Sequence, residues 1–400
     1  MDVRGHRATI AEARHLIDSP LRFHWRLIQK DEPAFASRAH HVTSADSAMP
    51  HVAQQSAFCR AGEDAGIEGM LTNFGWHEPD AIILTTAVAM NTTRMKFIIA
   101  YRSGLICPTT FVQQINTLST LVDGRIAINV VAGHSPEEQR YYGDYLPHDE
   151  RYARTEEFLD VCNRFWYGEG EVDFDGRYYK IERGKLRTPF VSSDGARGPE
   201  LYIAGNSEEA RRLAISQGSC WMMMADAPSK IAPKVGPVLH AGRSVGVRLA
   251  IVGGRTRAES LDAAREMAIR AAAQLDEKSA EQRFVGNTDA VSLRTTYALA
   301  DHEWLTPWLW TGLVRTHGAP CVALVGSPDD IADGLMEFKS IGVTQFILSG
   351  WPKLDEMLFF GREILPRVRE RESAMAMERR RLGGWSGGVS PPTLPALQRQ

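Results

Sequence analysis

MKFIIAYRSGLICPTTFVQQINTLSTLVDGRIAINVVAG, residues 95–133, is the stretch on which the fold turns. It opens on an apolar run, MKFIIAYRS (95–103), and closes on a second, RIAINVVAG (125–133). Between them, PTTFVQQINTLSTLVDG carries Pro in its first turn, where a missing N–H costs nothing, and stops at Gly124. The result is strand, helix, strand. Continuous apolar strands, without in–out alternation, suit a parallel sheet covered on both faces.

The same unit recurs along the chain. Further strand candidates are RFHWRLI (22–28), IEGMLTNF (67–74), ELYIAG (200–205), CWMMMAD (220–226), VGVRLAIVGG (245–254) and VTQFILSG (343–350). NSEEARRLAISQG begins with a polar cap and early carboxylates and ends on Gly, the signature of a helix. PDDIADGLMEFKSIG precedes the last strand and LDEMLFFGREILPRV follows it. Eight β/α units predict an α/β fold, a (β/α)8 TIM barrel with insertions at the C-terminal face of the strands. The alternative, a doubly wound open sheet, would carry G-x-G-x-x-G after its first strand, and this chain does not.

Within 400 residues this gives an N-terminal extension (1–20), a barrel (21–370) and an Arg/Gly/Pro-rich tail (371–400) expected to be a frayed helix and a disordered end. Two segments interrupt the alternation. Residues 169–199 contain EVDFDGRYYKIERG, an Asp-Gly turn between alternating runs, and predict a hairpin. Residues 277–321 show no clear strand; HEWLTPWLW and RTHGAP make them a candidate lid. There Trp304, Trp308 and Trp310 either form an aromatic cover or seat the insertion on the barrel.

Composition bounds the function. The chain is 44% hydrophobic and 24% charged with a formal net charge of −3, so nothing directs it to nucleic acid or an anionic membrane. No run of ~18 apolar residues and no secretory h-region are visible, and a soluble, cytoplasmic protein is expected. Five scattered cysteines without a C-x-x-C pair read as reduced thiols. His134, His148, His302 and His317 show no metal-binding spacing, so no metal site is expected. No G-x-S-x-G is present. Met222–Met224 read as strand core first and site lining second.

In a parallel barrel the active face lies at the C-terminal strand ends. There the fourth strand empties into NVVAGHSPEEQRYYGDYLPHDERY (129–152), with Asn129, Gly133, His134, Glu138, Arg151 and Tyr152. Asn73, Trp76, Arg102, Ser207, Arg248, Ser349 and Trp351 fall on the same face. Asn, Arg, Tyr and a helix N-terminal Ser suit a ligand that joins a phosphate to a polar heteroaromatic ring. The competing reading has Arg151 and Tyr152 merely packing the following helix.

These motifs, in this order and spacing, resemble the bacterial luciferase-like flavin monooxygenases, nearest to their alkanesulfonate monooxygenase branch. The likeness covers about residues 22–368 and rests on FHWRL, RSGLICPTTFVQQINTLSTLVDGRIAINVVAG, HDERYARTEEF, LYIAGNSEEA, TGLVRTHGAPCVALVG and FILSGWPKLDE. It implies a barrel that takes reduced FMN from a separate NAD(P)H:flavin reductase and uses O2 to oxygenate a small organic substrate, as a homodimer or homotetramer. It places flavin contacts at Leu71, Thr72, Asn129, Glu138, Arg151, Tyr152 and Ser207. Arg248 and Arg315 match arginines of the sulfonate branch, the latter on a mobile loop, and are expected to anchor substrate or phosphate.

Three departures bear on the chemistry. Where that branch has Cys, His and Tyr, this chain has Glu78, Ala250 and Trp351. Trp can donate a hydrogen bond but cannot act as an acid or base. Apolar and aromatic replacements keep a pocket dry, as oxygen chemistry on a flavin requires. Trp351, Trp76 and Glu78 are expected to shape the substrate side. Glu78 either meets a cationic substrate or stands in solvent at the rim. His148 is expected to fix the flavin-wall loop, and His77 or His317 is the candidate proton donor. Two rival readings remain: a deazaflavin (F420)-dependent dehydrogenase on the same barrel, and a non-catalytic flavin-binding protein.

Overall fold

The computed structural model describes residues 16–29, 50–273 and 285–383. Twelve strands run in chain order: β1 (Arg22–Arg26), β2 (Gly69–Thr72), β3 (Lys96–Arg102), β4 (Ile126–Val131), β5 (Val172–Asp175), β6 (Lys180–Gly184), β7 (Glu200–Ala204), β8 (Cys220–Met224), β9 (Ser244–Gly253), β10 (Leu309–Trp310), β11 (Ala323–Gly326) and β12 (Gln345–Ser349). Eight of them, β1-β2-β3-β4-β7-β8-β9-β12, are parallel and close into a barrel when β12 pairs back onto β1, Arg22 opposite Gln345. Each strand expected from the sequence coincides with one of these eight, β9 starting one residue earlier, at Ser244.

The helices between them start and stop as their sequences dictate. Pro108 opens the helix Pro108–Leu121, and the chain turns out of it at Asp123 and Gly124, both with positive φ. Asp80 caps Ala81–Ala89 by accepting from the Ile82 and Ile83 N–H groups. Ser327 and Asp330 form a reciprocal capping box at the head of Pro328–Ser340.

Apolar side chains fill two shells. Phe23, Trp25, Phe97, Ile99, Val245, Val247 and Leu249 face outward onto the helices. Leu71, Ile98, Ala100, Ala127, Tyr202, Cys220, Met222 and Ile347 fill the interior. Met222 therefore lies inside the barrel, Met223 in the outer shell, and Met224 half-buried at the mouth.

β1 departs from the continuous apolar pattern, since Arg22, His24 and Arg26 alternate with Phe23, Trp25 and Leu27. Outward positions are apolar and inward ones polar, which plugs the closed end of the barrel. Tyr202 Oη donates to Gln345 Oε1 at 2.8 Å, His24 Nε2 lies 3.2 Å from the same oxygen, and Gln345 Nε2 donates to Ser244 Oγ at 2.9 Å. Burial, aided by Arg22, pushes the His24 imidazole down to about 3, so it is neutral in the folded chain. Below it Glu200 binds Arg22 at 3.0 Å and Lys96 at 2.7 Å.

β5 and β6 form the expected antiparallel hairpin. The 285–321 part of the second insertion corrects the sequence reading: it holds a strand, β10, which pairs with β11. β11 in turn pairs with the upper half of β9, Ala323 opposite Ala250, beyond the point where β8 leaves at Met224 opposite Arg248. A two-residue aromatic strand carries no periodicity and is invisible in sequence. Trp310, Leu313, Cys321 and Ala323 pack with Ala250, Val252, Met267 and Trp351, with Trp304 at the edge. The tryptophans thus seat the insertion on the barrel.

The last helix runs Leu365–Gly383; the remainder of the tail, residues 1–15 and residues 277–284 of the insertion lie outside the described residues. Among the described residues no helix is long and apolar enough to cross a membrane.

Candidate active site

The strand register decides which side chains reach the barrel mouth. Along β4, Ala127 lies in the interior cluster, and alternation then brings Asn129 inward one rung higher. Asn129 is buried, and its Oδ1 has no hydrogen-bond partner. On β3 the same alternation from Ile98 through Ala100 brings in Arg102. On β9 it brings in Arg248, and on β1 Arg26.

Of Arg26, Arg102, Arg151, Arg248 and Arg315, at or above this face, all but Arg248 are held by carboxylates. Arg26 Nη2 binds Glu78 Oε1 at 3.1 Å, and the Asn73 amide, with its oxygen toward the guanidinium, accepts from Nε at 2.7 Å. Arg102 Nη2 lies 2.7 Å from Glu138 Oε2, whose other oxygen accepts from the Trp76 N–H at 3.1 Å. Arg151 grips Asp289 bidentately at 2.9 and 2.7 Å while Nε and Nη1 donate to the Ala132 and Leu146 carbonyls. Arg315 binds Asp301 at 2.6 Å, lies over the Tyr297 ring and is 41% exposed.

Arg248 differs. No carboxylate among the described residues pairs with it, and burial with the nearby Arg26 charge lowers it to about 10.

The end of β7 forms a second feature. Ser207 caps the helix Glu208–Gln217 by accepting from the Ala210 N–H, and the Tyr152 hydroxyl lies close to the Ser207 side chain. Burial raises the Tyr152 phenol, so it remains protonated at neutral pH. Gly205 sits between them at φ 137°; a Cβ there would come within 3.0 Å of Tyr152 Oη and 2.9 Å of Ala210 Cβ. The glycine lets the backbone pass in close contact with Tyr152 and the first turn of the helix, beside the helix N-terminus.

The other expected site residues are placed as follows. Leu71 points into the barrel, while the Thr72 hydroxyl turns outward to Thr85 at 2.9 Å. The Glu78 side chain is 2% exposed, so it does not stand in solvent at the rim. Trp351 is buried against the His317 ring at 5.2 Å, and His317 Nδ1 lies 2.7 Å from Thr316 Oγ1. His148, at the head of Arg151's helix, contacts Asp149 and the Tyr152 ring. Trp76 and His77 are half or more exposed beside Glu78.

Sequence reading missed Arg26 and Asp289 and gave no role to Arg102, Phe74 or Tyr142. The β1 alternation could have flagged Arg26. Nothing local to residue 289 announces a partner 138 residues away.

The profile of the luciferase-like monooxygenase family matches residues 34–345. The chain belongs to that family. Among solved structures it resembles a riboflavin lyase determined with modified FMN and riboflavin, at 20% identity over 94% of this chain and 95% of that one, with a TM-score of 0.67. It also resembles the EDTA monooxygenase of Chelativorans sp. BNC1, at 19% identity over 88% and 94%, TM-score 0.70. The coenzyme F420-dependent tetrahydromethanopterin reductase of Methanopyrus kandleri gives 17% identity over 88% and 100%, TM-score 0.60. These likenesses establish the barrel and leave the choice of cofactor to the site.

The site's donor set fits FMN. Asn129 offers an unmet acceptor for a ring N–H, Arg102 offers unmet donors for a ring carbonyl, and the N-terminus of the Ser207-capped helix is chemically suited to a phosphate.

Proposed function

We propose that the chain is a two-component monooxygenase that uses FMN, delivered reduced by a separate NAD(P)H:flavin reductase, and O2 to oxygenate a small organic substrate. The observation that carries this reading is the inward face of β3 and β4 at the barrel mouth, where Asn129 has an unmet acceptor and Arg102 unmet donors, near the N-terminus of the Ser207-capped helix that follows β7. When bound, reduced FMN supplies the electrons that activate O2.

The chain's own groups do the rest. Tyr152, Ser207 and the backbone N–H groups behind Ser207 bind the phosphate, and Asn129 orients the ring, with Leu71 and Thr72 beside it. Glu138 acts by positioning Arg102. Arg151 holds the wall together from behind through Ala132, Leu146 and Asp289. Arg248, charged and without a carboxylate, anchors an anionic group on the substrate, with a sulfonate or carboxylate as the class. Trp351 and Ala250 keep that side apolar and dry. Glu78 holds Arg26 in place, and Arg315, through Asp301, belongs to the covering insertion. As in the resemblance, a homodimer or homotetramer is expected.

Anaerobic titration with reduced and oxidised FMN, followed by oxygenated buffer and a panel of sulfonates and carboxylates, tests the reading. Preferential binding of reduced FMN with substrate-dependent O2 uptake supports it. Binding of deazaflavin in place of FMN would move the chain to the dehydrogenase reading.

A further inference from the structure

Arg102 and Arg151 are equally deep and differently used. Arg151, 1% exposed, places Nε, Nη1 and Nη2 each on an acceptor. Arg102, 3% exposed, commits only Nη2, to Glu138. Its Nε and Nη1 are buried with no hydrogen-bond partner. The guanidinium also lies against a touching pair of rings, Phe74 at 4.9 Å and Tyr142 at 5.6 Å, which restrict its orientation without accepting hydrogen bonds in its plane. Arginine cannot escape this by losing its proton. A guanidinium held so rigidly, with two donors unmet, is built for an acceptor that arrives with a ligand.

Asn129 supplies the second point. Ala100 pairs with Asn129 across β3 and β4, so Arg102 stands one strand over and one rung nearer the mouth, on the same inward face. The two side chains present unmet donors and an unmet acceptor to the same side of the barrel. The pyrimidine edge of a flavin is the complement, a ring N–H beside a carbonyl. On two-electron reduction that edge gains negative charge over N1 and the C2 carbonyl when N1 is unprotonated.

Resting on the FMN reading above, we propose that Arg102 selects the reduced flavin by placing Nε and Nη1 against this charged edge, while Asn129 Oδ1 accepts from the ring N–H in either redox state. A charge-assisted hydrogen bond is stronger than a neutral one, so Arg102 discriminates between the forms and Asn129 does not.

The test is anaerobic titration of the full chain with oxidised and reduced FMN, comparing wild type with Arg102→Met, Arg102→Lys and Glu138→Gln. Arg102→Met is expected to shrink the preference for reduced FMN at least tenfold and Arg102→Lys to retain most of it. Glu138→Gln is expected to weaken both forms together. Equal weakening of both forms in Arg102→Met would reduce Arg102 to a structural partner of Glu138 and overturn the proposal.

A readout that needs no variant guards against misfolding. The absorbance of reduced FMN bound to wild type, followed across pH, should show the anionic form persisting to lower pH than in free reduced FMN. Protonation at the same pH as the free molecule, or higher, overturns the proposal. If wild type binds neither form, the FMN reading itself falls. If it prefers reduced FMN and Arg102→Met leaves that preference intact, only the role of Arg102 falls.

Discussion

Replacing Asp289 by alanine tests whether the insertion is clamped to the site wall. The carboxylate bridges Arg151 Nη2 at 2.9 and 2.7 Å, and the two side chains are 22% and 2% exposed respectively. A solvent-exposed pair would contribute roughly 0.2–1 kcal/mol. Breaking a buried pair by deleting one partner costs about 3–5 kcal/mol, because a charge is left buried without its counter-ion. Arg151 lies at the buried extreme, but it keeps the Ala132 and Leu146 carbonyls, and water reaches the Asp289 side. The loss for Asp289→Ala should therefore be about 2–3 kcal/mol, between the two limits. Urea unfolding should show a lower midpoint at unchanged m. Amide exchange should quicken first at 285–290, where the Asp289 N–H and Thr288 hydroxyl still donate to the His134 carbonyl. Adding Arg151→Met should cost less than the sum of the single losses, since the pair is shared. A loss under about 0.5 kcal/mol with unaltered exchange would place the pair in the solvent-screened class and refute the clamp.

Two further outcomes follow from the structure. His24, near 3 in the fold against an ordinary 6.5, takes up its proton more readily in the unfolded chain. Its stabilising contribution is complete above pH 6.5 and declines by about 1.4 kcal/mol per pH unit as pH falls toward 3. For Glu200, burial would raise the carboxyl, but Lys96 and Arg22 outweigh it and hold the group at about 2, so its contribution is lost as pH falls from 4.5 toward 2. Urea midpoints between pH 7 and 4 should fall for wild type and flatten for His24→Gln; identical slopes would remove His24 as the cause. Gly205→Ala strains a φ of 137° and drives its methyl against Tyr152 Oη and Ala210 Cβ, displacing the proposed phosphate-binding groups, so FMN binding should weaken at least tenfold and riboflavin binding much less. Equal losses for the two ligands would move the phosphate elsewhere.

What could be read from sequence was whatever repeats locally. Pro108, Gly124, the polar head of NSEEARRLAISQG and the apolar runs each announce an element within a few residues of itself, and the barrel follows from their alternation. The Ser207 cap was legible for the same reason, since it heads a helix whose start is visible. Ion-pair partners were not. Glu78 reads as a solvated rim carboxylate until β1 folds beside it and brings Arg26 to 3.1 Å across 52 residues of chain. Arg151 reads equally well as a ligand or as packing, and only the arrival of Asp289 shows its guanidinium to be fully engaged. β10 is too short to have a period, and its burial depends on β9, which lies far earlier in the chain.

The charge balance of the mouth follows from those partners. Arg26, Arg102, Arg151 and Arg315 each face one carboxylate, so each pair is close to neutral. Arg248 alone leaves a charge uncancelled, and at about 10 it is still protonated at neutral pH. A half-buried cation without a counter-ion is costly in proportion to its burial, and a ligand anion relieves that cost. The helix N-terminus proposed to take the phosphate lies at the end of β7, whereas Arg248 lies on β9, below Ala250, which packs with Trp351. The anion that relieves Arg248 is therefore better assigned to the substrate than to the cofactor. The residues that replace Cys, His and Tyr fit that division. Ala250 and Trp351 add no competing charge near Arg248, and Glu78, the one carboxylate among the three, is already spent on Arg26. An amine-bearing substrate would find a net positive wall, and an anionic one finds its counter-ion in place.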